Sequence, residues 1–171
     1  MFVEDFEVRR TVEEDWERVR DLRLEMLADT PLAYLETLEQ AGRRPESHWR
    51  GWARDGSSEG SITVVAVTAS GRWVGTMMSK VPRGASGAFL YGVYVAPDAR
   101  GRAAGVTDAL LERVESWASE RGDTLTLEVH ERNLRARAAY TSRGFVETGA
   151  TTPYPLAAGG LEVVMVKRLS T

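Results

Sequence analysis

From Phe6 to Val12 apolar and charged side chains alternate, the period of a strand with one buried face. The spacing then becomes helical. Trp16, Val19, Leu22, Leu24 and Met26-Leu27 recur until Asp29-Thr30-Pro31 ends the run, with Thr11 or Glu13 available as a cap. Leu32 to Asp55 carries Tyr34, Leu35, Leu38, Trp49 and Trp52 among many charges, and Gly42 and Pro45 interrupt it, which predicts a broken helix pair. After the loop Gly56 to Ser61, the β-branched run Ile62 to Val67 predicts a strand. Ser70-Gly71 marks a hairpin turn and Trp73 to Met78 the returning strand. Pro82 to Gly87 is a loop, and Ala88 to Val95 a longer apolar strand stopping at Ala96-Pro97, so three antiparallel neighbours are expected.

Val106 to Arg121 is the clearest helix, with Leu110, Leu111, Val114, Trp117 and Ala118 along one face and Arg121-Gly122 ending it. Thr124 to Val129 alternates as a strand, Leu134 to Ser142 is helical and closed by Gly144, and Leu161 to Leu169 supplies a last strand. This order predicts an α/β (α+β) fold. With no internal repeat, linker or low-complexity tract, residues 1–171 are expected to form one domain.

Composition narrows the chemistry. At 43% hydrophobic and 27% charged residues, the chain is in the ordinary globular range. There is no cysteine, so disulfides, thiolate metal sites and a cysteine nucleophile are excluded. The two histidines, His48 and His130, are too far apart for a local zinc pair, and no metal is expected. A net charge of −3, from 22 basic and 25 acidic side chains, provides no whole-molecule field for nucleic acid. The opening Met1 to Phe6 has no basic leader, and no run approaches the roughly 18 apolar residues of a membrane helix. No membrane association and a cytoplasmic location are therefore the expectations.

The turn Arg100-Gly101-Arg102-Ala103-Ala104-Gly105 lies between a strand end and a helix start. Free N–H groups and the positive end of a helix dipole would meet there, small residues would let backbone approach a phosphate, and the arginines would add charge-assisted bonds. A pyrophosphate fits such a point, although a plain loop into a helix reads the same way. A nucleotide-triphosphate loop would need Gly-Lys-Ser/Thr, and a dinucleotide fingerprint three spaced glycines; neither is here. Downstream, Asn133, Ala136, Arg137 and Tyr140 share a helix face. Tyr140 is then either a proton donor or a core aromatic with a satisfied hydroxyl.

From Leu90 to Gly149 the chain resembles the GCN5-related N-acetyltransferase (GNAT) superfamily. The resemblance rests on Val93-Tyr94-Val95-Ala96-Pro97, the Arg100 to Gly105 turn, Leu110-Leu111, Asn133, Tyr140 and Gly144-Phe145. It implies a central, mixed, mostly antiparallel sheet flanked by helices. It also implies acetyl-CoA as co-substrate and transfer of its acetyl group, by direct attack, to an amine of a small molecule or peptide. A non-catalytic acyl-CoA-binding regulatory domain is the alternative. Many members form homodimers.

Carried over by position, Val93, Tyr94 and Val95 would splay from the neighbouring strand and pair with the pantetheine arm. Asn133 and Ala136 would adjoin the cofactor, and Tyr140 would protonate the departing thiolate. The turn departs from the family pattern. Counted from Val-x-Pro its phosphate loop is Arg100 to Gly105; counted back from the leucines it is Arg102-Ala103-Ala104-Gly105-Val106-Thr107, as though two residues had been inserted. Glu128 stands where the ribosomal-protein N-terminal acetyltransferases of the superfamily hold a base, and equally where an alternating strand shows a polar side. Acceptor recognition is expected from Leu32 to Asp55, Pro82 to Gly87 and Thr151 to Gly160. Trp49, Trp52 and Tyr154 are either pocket or core, and Glu36 and Glu39 would suit a cationic amine.

Overall fold

The computed structural model describes residues 4–170, so Met1, Phe2 and Val3 of the opening segment lie outside the described residues. Seven strands, β1 (Phe6–Arg10), β2 (Ser61–Thr68), β3 (Trp73–Lys80), β4 (Ala88–Val95), β5 (Thr124–His130), β6 (Val146–Pro153) and β7 (Leu161–Arg168), form one sheet. Its order is β1-β2-β3-β4-β5-β7-β6. Only β4 and β5 run parallel, so the sheet is mixed and mostly antiparallel, as expected. The helices are α1 (Trp16–Asp29), α2 (Leu38–Gly42), α3 (Glu46–Asp55), α4 (Val106–Ser119) and α5 (Leu134–Thr141). No helix among the described residues is long and apolar enough to cross a membrane.

The period of two along β3 sorts these helices onto opposite faces. A Cβ on Gly75 would sit 3.0 Å from Leu110 and 3.2 Å from Val106, so α4 packs directly on that position. Thr76 and Met78 instead line a small cavity with Leu22 and Met26 of α1 and Trp52 of α3. The predicted α4 stripe of Leu110, Leu111, Val114, Trp117 and Ala118 is buried throughout, and Trp49 is buried on the other side.

Two expectations are corrected. Neither Thr11 nor Glu13 caps α1: a 3-10 turn, Glu13–Asp15, precedes it, and the Thr11 hydroxyl donates to the Ala53 carbonyl at 2.9 Å inside the protein. The Asp15 carboxylate, not a residue before it, accepts the Val12 N–H at 2.9 Å. Three of the ten residues of the supposed Thr151 to Gly160 loop, Thr151 to Pro153, are the end of β6, whose residues are almost all exposed and which pairs only with β7. An edge strand of this kind shows no apolar alternation.

The central joint positions the site. β4 and β5 pair only at Ala88 with Leu125 and Phe89 with Thr126, then part. On its other edge β4 carries a bulge, with Gly92 and Val93 opposite the single residue Met77. Gly92 has φ +59°, and a Cβ there would lie 2.7 Å from the Met78 sulfur, so glycine is required. The joint is braced below by Gly122, where a Cβ would stand 2.4 Å from the Ser86 carbonyl oxygen and 2.9 Å from Gly87 Cα. Both neighbours are backbone and cannot swing aside. Gly122→Ala is expected to cost about 1–3 kcal/mol of stability, read as a lower urea midpoint at unchanged m-value.

Candidate active site

Where β4 leaves β5, a cavity of about 860 Å³ opens. Of the expected cofactor residues, Val93, Tyr94, Val95, Arg100, Gly101, Arg102, Thr107, Asn133, Ala136 and Tyr140 line it. Ala103, Ala104, Gly105 and Val106 do not, and the Val106 side chain is buried against Gly75. Gly105, at φ +74°, is the N-cap of α4, and the first helical bond runs from the Ala109 N–H to its carbonyl at 3.0 Å. The N–H groups of Gly105, Val106, Thr107 and Asp108 therefore have no acceptor among the described residues. This helix start coincides with the loop count made from the leucines.

The arginines differ in availability. Arg100 donates from Nε to the Val95 carbonyl at 2.8 Å and bonds Asp29, so it braces the end of β4. Arg102 donates to the Ser142 carbonyl at 3.0 Å, and Arg143 joins α5 to the first turn of α4 through Asp108 at 2.7 Å. Arg135 lines the cavity and has no bonded partner among the described residues. In β4 itself, the Tyr34 hydroxyl donates to the Val93 carbonyl at 2.8 Å, so one lone pair of that carbonyl is already used. Tyr94 turns inward and donates to Glu25 at 3.0 Å.

On α5, Asn133 is first of all a helix cap: its Oδ1 accepts the Ala136 N–H at 3.2 Å. Its amide nitrogen has no partner among the described residues. Tyr140 packs edge-on against Phe145 with ring centroids 5.5 Å apart, and its hydroxyl makes no hydrogen bond among the described residues. Burial, then the proximity of Tyr34, raises its pKa well above the usual phenol value. The hydroxyl keeps its proton at neutral pH.

Across the gap lies a group the spacing did not reveal. The β5–β7 register pairs His130 with Glu162 and Glu128 with Val164, which makes Glu128 and Glu162 diagonal neighbours on one face. Both line the cavity, and Glu162 is buried. Burial, the charge of Glu128 and a hydrogen bond with Glu128 push the Glu162 carboxyl up to about 7. Beside them His130 is fully committed. Its Nδ1 accepts the Arg132 N–H at 3.1 Å, so Nε2 carries the proton and donates to the Gly159 carbonyl at 2.9 Å.

The expected acceptor segments contribute unequally. Ala33, Tyr34, Leu35 and Trp52 line the cavity, whereas no residue of Pro82 to Gly87 or Thr151 to Gly160 does. Trp49 is core, and Tyr154 is a buried brace whose hydroxyl donates to the Tyr34 carbonyl at 3.0 Å. Glu36 and Glu39 do not line the cavity either. Glu36 accepts from Arg23 at 3.1 Å and Arg44 at 2.6 Å. Burial works to raise its carboxyl, but these bonds outweigh it and hold it low. Glu39 is tied to Arg43 on the surface.

Residues 16–145 match the model of the Acetyltransferase (GNAT) family. The chain belongs to that family. Among solved structures, a GCN5-related N-acetyltransferase from Kribbella flavida is 26% identical over 96% of this chain and 98% of its own, with a TM-score of 0.74. The ribosomal-protein-alanine N-acetyltransferase from Brucella melitensis shares the fold at 23% identity over 95% and 99% of the two chains, with a TM-score of 0.74. So does the GNAT superfamily phosphinothricin acetyltransferase from Sinorhizobium meliloti, in complex with AcCoA, at 19% identity over 96% and 89%, with a TM-score of 0.74. No curated protein sequence matches the chain at a significant level. The GNAT architecture accounts for the parted strands.

Proposed function

We propose that this one-domain protein is an acetyl-CoA-dependent N-acetyltransferase acting on an amine of a small molecule or peptide. The observation that carries the reading is one cavity holding an unbonded, protonated tyrosine and a carboxyl pair. The residues fit the co-substrate. The N–H groups of Gly105, Val106, Thr107 and Asp108 suit its pyrophosphate, with Ala103 and Ala104 leaving room for close approach and Arg102 and Arg135 adding charge. The β4 edge at Val93 to Val95, the free amide of Asn133 and the small Ala136 suit its pantetheine arm.

Bound there, acetyl-CoA supplies an electrophilic thioester carbonyl. The Glu128–Glu162 pair takes a proton from the acceptor ammonium, freeing the lone pair that attacks. The Tyr140 proton goes to the departing sulfur and is replaced by the one the nitrogen sheds as the amide forms. Incubation with acetyl-CoA and a broad amine panel is expected to release free thiol with saturating dependence on one class of amine. Release at the background rate despite measurable CoA binding would overturn the enzyme reading in favour of a non-catalytic acyl-CoA-binding domain.

A further inference from the structure

Arg23 is a charged side chain on α1 that is only 9% exposed, yet it borders the cavity. Its Nε donates to Glu36, and its guanidinium lies 4.9 Å from the Tyr34 ring centroid and 5.2 Å from that of Trp52. These contacts fix its plane. Its Nη1 and Nη2 groups donate to nothing among the described residues. Nor is the charge cancelled, because Glu36 also accepts from Arg44, leaving two guanidinium groups on one carboxylate. A guanidinium held in place by ring contacts, with two unused donor groups open to a cavity wall, is ready to bind an anion there. Lys80, whose ammonium rests 4.9 Å from the Tyr91 ring centroid, adds positive charge on the same wall.

The β5 and β7 side of the cavity has the reverse sign. Glu128 and Glu162 lie there on β5 and β7, with neutral His130 beside them. A simple cationic amine would leave Arg23 without an anion, and a polyanion would be repelled by the carboxyl pair. A molecule carrying an ammonium and a carboxylate satisfies both walls. We propose that the acceptor is a zwitterion, a free amino acid or close analogue, whose carboxylate binds the Arg23 fork and whose ammonium faces Glu128 and Glu162. This inference rests on the transferase reading above.

The test uses the intact protein, acetyl-CoA and thiol release, comparing free amino acids with their methyl esters and with the matching decarboxylated amines. The free carboxylate is expected to be favoured at least tenfold in kcat/KM over both. Arg23→Gln is expected to collapse that ratio toward one, and Arg23→Lys to restore it partly by returning charge without the fork. Glu36 keeps Arg44 in either variant. Equal use of acids, esters and amines by the unaltered protein overturns the inference while leaving the transferase reading intact. So does a ratio that survives Arg23→Gln while both rates fall, since that marks Arg23 as structural. Failure of every amine overturns the transferase reading itself, and this inference with it.

Discussion

Tyr140→Phe lowers kcat by about 10²–10⁴ while the protein melts at nearly its original temperature. The rate falls because the phenol supplies the proton that the departing thiolate needs. Its raised pKa, imposed first by burial, means that almost every molecule carries the proton at neutral pH. The fold is expected to tolerate the change because the lost hydroxyl makes no hydrogen bond among the described residues, so no partner is stranded. The ring that meets Phe145 at 5.5 Å remains. Initial rates at saturating acetyl-CoA and amine, with a thermal melt of the same sample, check both halves. Unchanged turnover would return Tyr140 to a packing role.

The double variant Glu128→Gln/Glu162→Gln loses at least about 10² in turnover at pH 7, since neither carboxyl remains to take the ammonium proton. The single variant Glu162→Gln is more diagnostic. With Glu162 pushed up to about 7, turnover of the unaltered protein should climb through that pH, and the climb should move to lower pH once the pair is broken. Stability shifts as well. The folded-state value lies above the ordinary 4.5, so the folded protein holds this proton more tightly than the unfolded chain. Stability is therefore lost as pH rises from about 4.5 through about 7, and the full penalty stands above that range. Glu162→Gln should raise the melting temperature at pH 8 and bring no gain at pH 4. A pH-independent difference would sink the shared-proton account.

How much of this was legible follows from what each residue depends on. The α4 stripe was readable because helical period and burial coincide from Leu110 to Ala118. The parted strands were anticipated through the family resemblance of Val93 to Pro97, although the parting begins earlier, just after Phe89. β6 was missed because it has almost no buried residues, and its strand state comes from β7. Glu162 carries no mark in its local sequence; only the register between β7 and β5 brings it to Glu128. Arg23, between Leu22 and Leu24, carries no local signal that sets it apart from a surface charge. Rings from two other segments bury it. Glu36 misled in the opposite sense, since its neutralising arginines are distant or unremarkable in the sequence. Where a site is made by register or by side chains from separate elements, local pattern carries no trace of it.

The joint between β4 and β5 is only two residue pairs long. Above it, the half-sheet β1–β4 and the half-sheet β5–β7 face each other as two stiff plates riveted at one end. A ligand seated in the gap would act as a cross-tie, joining the two half-sheets at the end where no strand pairing holds them together.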